Sequence, residues 1–228
     1  PGVRRVWHRG KPPPIPRLGG REVFAEELAY QGAEVAFLVA DDERILGDAL
    51  ALIDVQYEVL PFVHNLPVAL AEGAPVALAG TRDNLIEPDG EIYERGSVSE
   101  GLDAADTVVE VSVETPPAAH CCLETHGSAV RWEGDAVTVW HSTQSVFGAR
   151  SSLADALDVP LERVRAICEY VGGGFGSKIY IYPEEIVCLW ASKRTGVPVK
   201  WVADRTESFM CDAHGRDQRG HEAVRPQQ

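Results

Sequence analysis

Tyr170-Val171-Gly172-Gly173-Gly174-Phe175-Gly176-Ser177-Lys178 is the stretch on which the reading of this 228-residue chain turns. The run before it, Val164-Arg165-Ala166-Ile167-Cys168, predicts a strand. Beyond it, Pro183 opens a predicted helix, with Glu184 and Glu185 suiting the positive end of its dipole. Lys193, Arg194 and Gly196 close that helix. Glycines let the backbone approach a ligand closely and present N–H groups to electron-rich atoms. Two phosphate motifs fail the test, because both a Walker A loop and a G-x-G-x-x-G begun at Gly172 need glycine where Ser177 stands. A ligand-facing loop and a plain tight turn both remain open.

Working outward, Ala129–Trp132 and Ala136–Trp140 alternate around Glu133-Gly134-Asp135 and predict a hairpin. A polar tip, Ser142-Thr143-Gln144, follows, and then a helical stretch from about Phe147 to Leu157. Val108–Val113 predicts a strand, as does Val199–Val202. Nearer the start, Val35–Ala40 is a short apolar run expected as a buried strand. Asp41 or Asp42 caps a helix running to about Ile53, and Val55–Val59 alternates as a strand ending before Pro61. These three segments make a βαβ-like layer without a glycine-rich turn, so no cofactor is assigned to it. Residues 1–21 carry Pro12, Pro13, Pro14 and Pro16 and are expected to be extended linker or edge, outside the core. Residues 81–100 are acidic, with a turn signal at Pro88-Asp89-Gly90. Both a connection between two domains and a long loop within one fit that composition.

Lys+Arg 21 against Asp+Glu 35 gives a net charge of −14. That balance argues against nucleic-acid binding, which needs clustered cations facing phosphates. The basic residues Arg4, Arg5, Arg9, Lys11, Arg17 and Arg21 lie in a Pro/Gly-rich segment and read as solvated surface. The apolar content of 45% supports a folded core in one or two domains, and no apolar run is long enough to span a membrane. Five cysteines without C-x-x-C spacing point to reduced thiols and a cytoplasmic location. The chain begins with Pro1, and its last residues carry no strand or helix signal, so it reads as a piece of a longer polypeptide.

His120, Cys121, Cys122, Glu124 and His126 form a second cluster, without the matched ligand pair that zinc requires. His120 and Glu124 are expected instead to shape a wall through buried hydrogen bonds. Gln144 offers an amide donor at the end of a strand.

The order H-x-x-L-E-T (120–125), S-T-Q (142–144), Y-V-G-G-G-F-G-S-K (170–178), G-V-P-V-K-W (196–201) and D-R-x-E (204–207) resembles the molybdenum-binding large subunit of the xanthine dehydrogenase and aldehyde oxidase family. Tyr182-Pro183, Pro198–Trp201 and Ala213–Asp217 carry the flavour of the aerobic carbon monoxide dehydrogenase branch. Tyr30–Ala36 and Tyr57–Pro61 are similar to the α/β-hammerhead domain of these enzymes.

The resemblance implies an α+β fold: a hammerhead domain over residues 1–95, then the first part of a molybdopterin-binding domain over 96–228. It implies an oxidoreductase that hydroxylates carbon monoxide, an aldehyde or an N-heterocycle with oxygen derived from water. The cofactor would be molybdenum-molybdopterin, in the cytosine dinucleotide form. Gln144 matches the glutamine that hydrogen-bonds an oxo ligand of the metal. Gly174, Phe175 and Gly176 supply close backbone and an aromatic wall. No catalytic residue is expected in this chain, because the family's general-base glutamate lies beyond residue 228. Expected partners are the remainder of the large subunit, an iron–sulfur small subunit holding [2Fe-2S], and a flavin medium subunit holding FAD. Ile179 stands where purine-oxidising members carry glutamate, which disfavours xanthine as substrate. The alternative is a noncatalytic assembly module, or a relic of such a subunit.

Overall fold

In a computed structural model, residues 2–10, 22–77, 80–87 and 90–224 are described. The prolines at 12–16, Lys11, Arg17, Arg21, the turn residues 88 and 89, and residues 225–228 lie outside them. In chain order the elements are β1 (Val3–His8), β2 (Ala36–Ala40), α1 (Glu43–Leu50), α2 (Leu66–Ala69), α3 (Val98–Asp103), β3 (Val109–Thr115), β4 (Gly127–Glu133) and β5 (Ala136–His141). They continue with α4 (Val146–Leu157), a 3₁₀ turn (Leu161–Arg163), β6 (Val164–Ile167), α5 (Pro183–Thr195), β7 (Val199–Val202), α6 (Arg205–Cys211) and β8 (Gln218–Val224). The fold is mixed α and β, as expected.

Two compact units divide the chain, one comprising Pro1–Asp54 with Pro117–Arg216 and the other Val55–Pro116 with Asp217–Gln228. These limits differ from the expected division at residue 95. The reason lies in β1: Trp7 is 5% exposed and meets Trp190 of α5 edge-on at 4.7 Å. The N-terminal strand, expected outside the core, thus belongs to the same apolar cluster as Val130, Val139 and Leu189.

The first unit is built on a four-stranded sheet of order β6-β5-β4-β7. β4 and β5 form the expected hairpin, closing at Glu133↔Ala136 with Gly134 at φ +63. β5 runs through α4 to β6, and these two strands are parallel. Val130, Val137, Val139, Val164 and Val199 share the face covered by α5. Nine of the helix's thirteen residues are buried, Glu185 and Ser192 among them, so its middle is enclosed by the fold rather than lying on the surface with one face in water. Gly196 ends it in the left-handed conformation, as its sequence predicts.

β1 and β2 form a separate antiparallel pair, followed by α1, which is capped by the Asp42 side chain accepting from Arg44 N–H. β2 is only partly covered, with Val39 its sole buried residue. The expected βαβ-like layer is incomplete: Val55–Val59 forms no strand, and Tyr57 and Val59 are exposed. An alternating sequence becomes a strand only beside a ladder partner, and no described strand lies beside it.

The second unit holds α2, α3 and the antiparallel ribbon of β3 with β8, a strand absent from the sequence reading. Residues 81–100 fall wholly within this unit. None of its described residues is buried, and both strands of the ribbon are exposed along their whole length. A polar clasp organises its loops instead, with Asn84 Nδ2 donating to the Ala69 and Pro75 carbonyls while Oδ1 accepts from Ala77 N–H.

Candidate cofactor site

Strand direction brings the three motifs together. Because β5 and β6 are parallel, their C-terminal ends lie on one edge of the sheet, where α/β sheets bind ligands. Ser142-Thr143-Gln144 leaves the first of these strands and the glycine loop leaves the second. β4 is antiparallel to β5, so its beginning sits on that same edge, with Ser128 opposite His141. The segment 120–126 therefore arrives beside the other two.

The glycine loop is bound on both flanks. Gln144 N–H donates to the Lys178 carbonyl at 2.9 Å, and Glu124 N–H donates to the Gly172 carbonyl at 3.1 Å. Gly172 N–H returns a 2.7 Å bond to Glu124 Oε2. A Cβ at Gly174 would overlap the Gln144 side chain, and Gly176 has φ +102, so close approach and backbone conformation each demand glycine. Between them Phe175 takes φ +50, a strained conformation for a residue with a side chain, and the residue is 73% exposed.

Gln144 Oε1 accepts from Gly176 N–H at 2.9 Å and Lys178 N–H at 3.2 Å. Backbone N–H groups only donate, so the amide oxygen faces the loop and the NH2 group is turned away from it. Glu124 is not the buried wall residue expected: its side chain is 42% exposed, while Oε2 accepts from Gly172 N–H, Ser142 Oγ and Lys178 Nζ. Burial alone pushes its carboxyl up, but Lys178, the Gly172 N–H and Ser142 together hold it below its ordinary value. His120 lies against Gly176, yet its buried Nδ1 has no hydrogen-bond partner among the described residues. Through that atom it makes none of the buried hydrogen bonds expected of it. Arg205 clamps the same segment from α6 by donating to the carbonyls of Cys122 and Leu123, each at 2.7 Å. A cleft of about 320 Å³ opens beside this edge, lined in part by Glu124, Ser142, Trp140, Cys168, Tyr170 and Lys200.

Below the site lies a polar cluster that the sequence reading did not assemble, although it named His126 among the ligand-rich residues and Glu185 at a helix start. His126, His141 and Glu185 are all buried, with His126 Nε2 3.0 Å from Asp212 Oδ1. Burial, then the nearby His126 and Lys178, lowers His141 to about 4, and burial pushes Glu185 well above the carboxylate range. Tyr182 bridges from here to the loop by donating its hydroxyl to the Ser177 carbonyl at 2.7 Å. Among the described residues no group of three or more His, Cys, Asp or Glu converges as metal ligands. The available signals for this cluster were a glutamate in the first turn of a helix and two histidines at strand ends, which are too common to single out.

Residues 79–224 match the molybdopterin cofactor-binding domain. The chain is 34% identical over 192 residues to the xanthine dehydrogenase molybdenum-binding subunit of Escherichia coli O157:H7, covering 83% of this chain and 25% of that protein. It is also 34% identical over 220 residues to the carbon monoxide dehydrogenase large chain of Hydrogenophaga pseudoflava, covering 89% of this chain and 27% of that one. Quinoline 2-oxidoreductase from Pseudomonas putida 86 superposes with a TM-score of 0.77 at 26% identity, over 98% of this chain and 30% of that structure. The chain thus spans about a quarter of the length of these curated relatives. It belongs to the molybdopterin cofactor-binding domain family.

Proposed function

We propose that this chain is the N-proximal portion of the molybdenum-binding large subunit of a hydroxylating oxidoreductase. The observation that carries the reading is the Gln144 amide, whose oxygen is held by two loop N–H groups so that its NH2 is turned away from the loop, in a loop where Phe175 is exposed. That arrangement fits an oxygen- and sulfur-rich group such as a molybdenum-dithiolene centre: a neutral donor, an aromatic wall and glycines that admit close approach. Gln144, Gly174, Phe175 and Gly176 would hold it, with His120 and Glu124 behind them. When bound, the group supplies the redox chemistry. The chain's own residues orient it: Gln144 Nε2 donates to an electron-rich atom, Phe175 limits water on one side, and Lys178 with Glu124 keeps the loop in place.

The finer parts of the reading follow from family membership. The cofactor is proposed in its cytosine dinucleotide form, and electrons leave through [2Fe-2S] and FAD on separate subunits. The general-base glutamate is assigned to the remainder of the large subunit. The substrate is carbon monoxide, an aldehyde or an N-heterocycle. The N-proximal region, expected over 1–95, is proposed as a hammerhead-type domain. A cytoplasmic location accords with five cysteines that form no disulfide; no described helix is long and apolar enough to cross a membrane.

The test is molybdenum and pterin analysis of this chain co-expressed with the rest of the large subunit and its partner subunits. Stoichiometric molybdenum, reduced severalfold by Gln144→Ala, supports the reading; a complex that never holds molybdenum overturns it. The second unit favours a further reading, assembly without catalysis, because its apolar side chains are exposed. In that case Gln144→Ala leaves activity of the complete enzyme unchanged.

A further inference from the structure

Lys178 stands where the three motifs meet. Lysine is among the residues least often fully buried, because its ammonium loses hydration there. Here its side chain is 0% exposed. The ammonium has three protons and three acceptors: Glu124 Oε2 at 2.8 Å, the Glu124 carbonyl at 3.0 Å and Ser142 Oγ at 3.0 Å. Ser142 Oγ in turn donates to Glu124 Oε2 at 2.7 Å, which closes the network.

The backbone of the same residue serves the Gln144 peptide and side chain. Lys178 N–H donates to Gln144 Oε1, and its carbonyl accepts from Gln144 N–H and from the Thr143 hydroxyl. The side chain that is anchored by charge therefore belongs to the residue that anchors the amide. An uncharged side chain here would leave the Glu124 carboxylate without its cation and remove the side-chain tie from residue 178 to residues 124 and 142, while the Gly172 bonds to Glu124 remain.

We propose that Lys178 is a positioning residue that sets the direction of the Gln144 amide, through the buried contact of its ammonium with Glu124 and Ser142. Its functional consequence rests on the cofactor reading above, but the geometry belongs to the protein alone.

The 228-residue chain without cofactor therefore provides the test, by amide hydrogen exchange and NMR of the Gln144 side chain. Lys178→Met keeps the side chain's reach and removes the charge. Exchange at Gly176 N–H is expected to accelerate about tenfold, while Val130 and Val139 N–H keep their protection. In the unsubstituted chain the Gln144 NH2 signals are expected to shift as Glu124 takes up a proton on acidification, and Glu124→Gln to abolish that step. Should Lys178→Met also strip protection from Val130 and Val139, Ser142→Ala replaces it, with a smaller acceleration at Gly176 expected. Unchanged exchange at Gly176 in the variant that folds, or no acid step at Gln144, overturns the proposal. Freed Gly176 and Gln144 signals combined with full molybdenum content and unchanged turnover in the complete enzyme uphold Lys178 as the anchor. That combination overturns the role given to Gln144.

Discussion

His141 Nδ1 lies 3.4 Å from Glu185 Oε1, and both side chains are 1% exposed. Glu185 Oε2 accepts from Tyr182 N–H, so this carboxyl caps α5 with one oxygen and faces an imidazole with the other. The groups around it are His126, Asp212, Glu184 and Lys178. Burial disfavours the charged form of both partners, which gives opposite pH dependences.

For His141, lowered to about 4 from 6.5, the unfolded chain takes up a proton that the folded chain refuses. Stability is full above 6.5 and falls as pH drops toward 4, by on the order of 3 kcal/mol in total. For Glu185, raised well above 4.5, the unfolded chain ionises first, so its contribution is full below 4.5 and is lost as pH rises. Glu185→Gln keeps the shape and the cap without ionising. Urea unfolding of both forms at pH 5 and pH 8 should show the variant gaining relative stability at the higher pH. A difference independent of pH would mean that Glu185 is charged in the folded protein.

The Glu124–Lys178 pair predicts a separate acid effect. Glu124 is held below its ordinary value, so its contribution is present above the unfolded carboxylate range and is lost as pH falls through the folded value. Loosening of the glycine loop on acidification, read as faster proteolysis or exchange near Gly172, should be absent in Glu124→Gln.

Gly174→Ala places a methyl group where the Gln144 side chain lies. The fold should survive, since the loop is at the sheet edge, but the Gln144 amide must move. Molybdenum content of the complete enzyme should fall severalfold, with the melting temperature lowered by only a few degrees. Full molybdenum content in this variant would be incompatible with the placement of the cofactor at this loop.

Leu189 is fully buried at the centre of α5. Leu189→Ala should cost about 2–5 kcal/mol in chemical unfolding of the first unit. Trp7→Ala tests whether the N-terminal strand belongs to that core, and a loss of about 3 kcal/mol or more is expected. A shift near zero would place β1 outside it.

The second unit, with no buried residue among those described, should exchange its amides far faster than β4, β5 and α5. Its exposed valines at 109, 111 and 113 should also drive concentration-dependent association, visible by light scattering. A monodisperse monomer at high concentration would contradict this.

Much of the first unit was legible in the sequence because local pattern encodes it. The hairpin at Gly134, the helix opening at Pro183 and closing at Gly196, and the glycine loop after β6 each depend on neighbours a few residues apart. Trp7 was misjudged because nearby prolines signal an edge, whereas its burial depends on Trp190, which no local pattern reveals. Val55–Val59 failed in the opposite sense, with strand-like alternation but no ladder to a described strand.

By itself, then, the sequence determined the motifs, their order and most of the elements that carry them. Only the tertiary structure decided that residues 120–126, 142–144 and 170–178 share one sheet edge. The physical reason is strand direction: the parallel alignment of β5 and β6 and the antiparallel alignment of β4 put two strand ends and one beginning side by side. That convergence buries the Lys178 ammonium between Glu124 and Ser142 and turns an ordinary loop glutamine into an oriented donor.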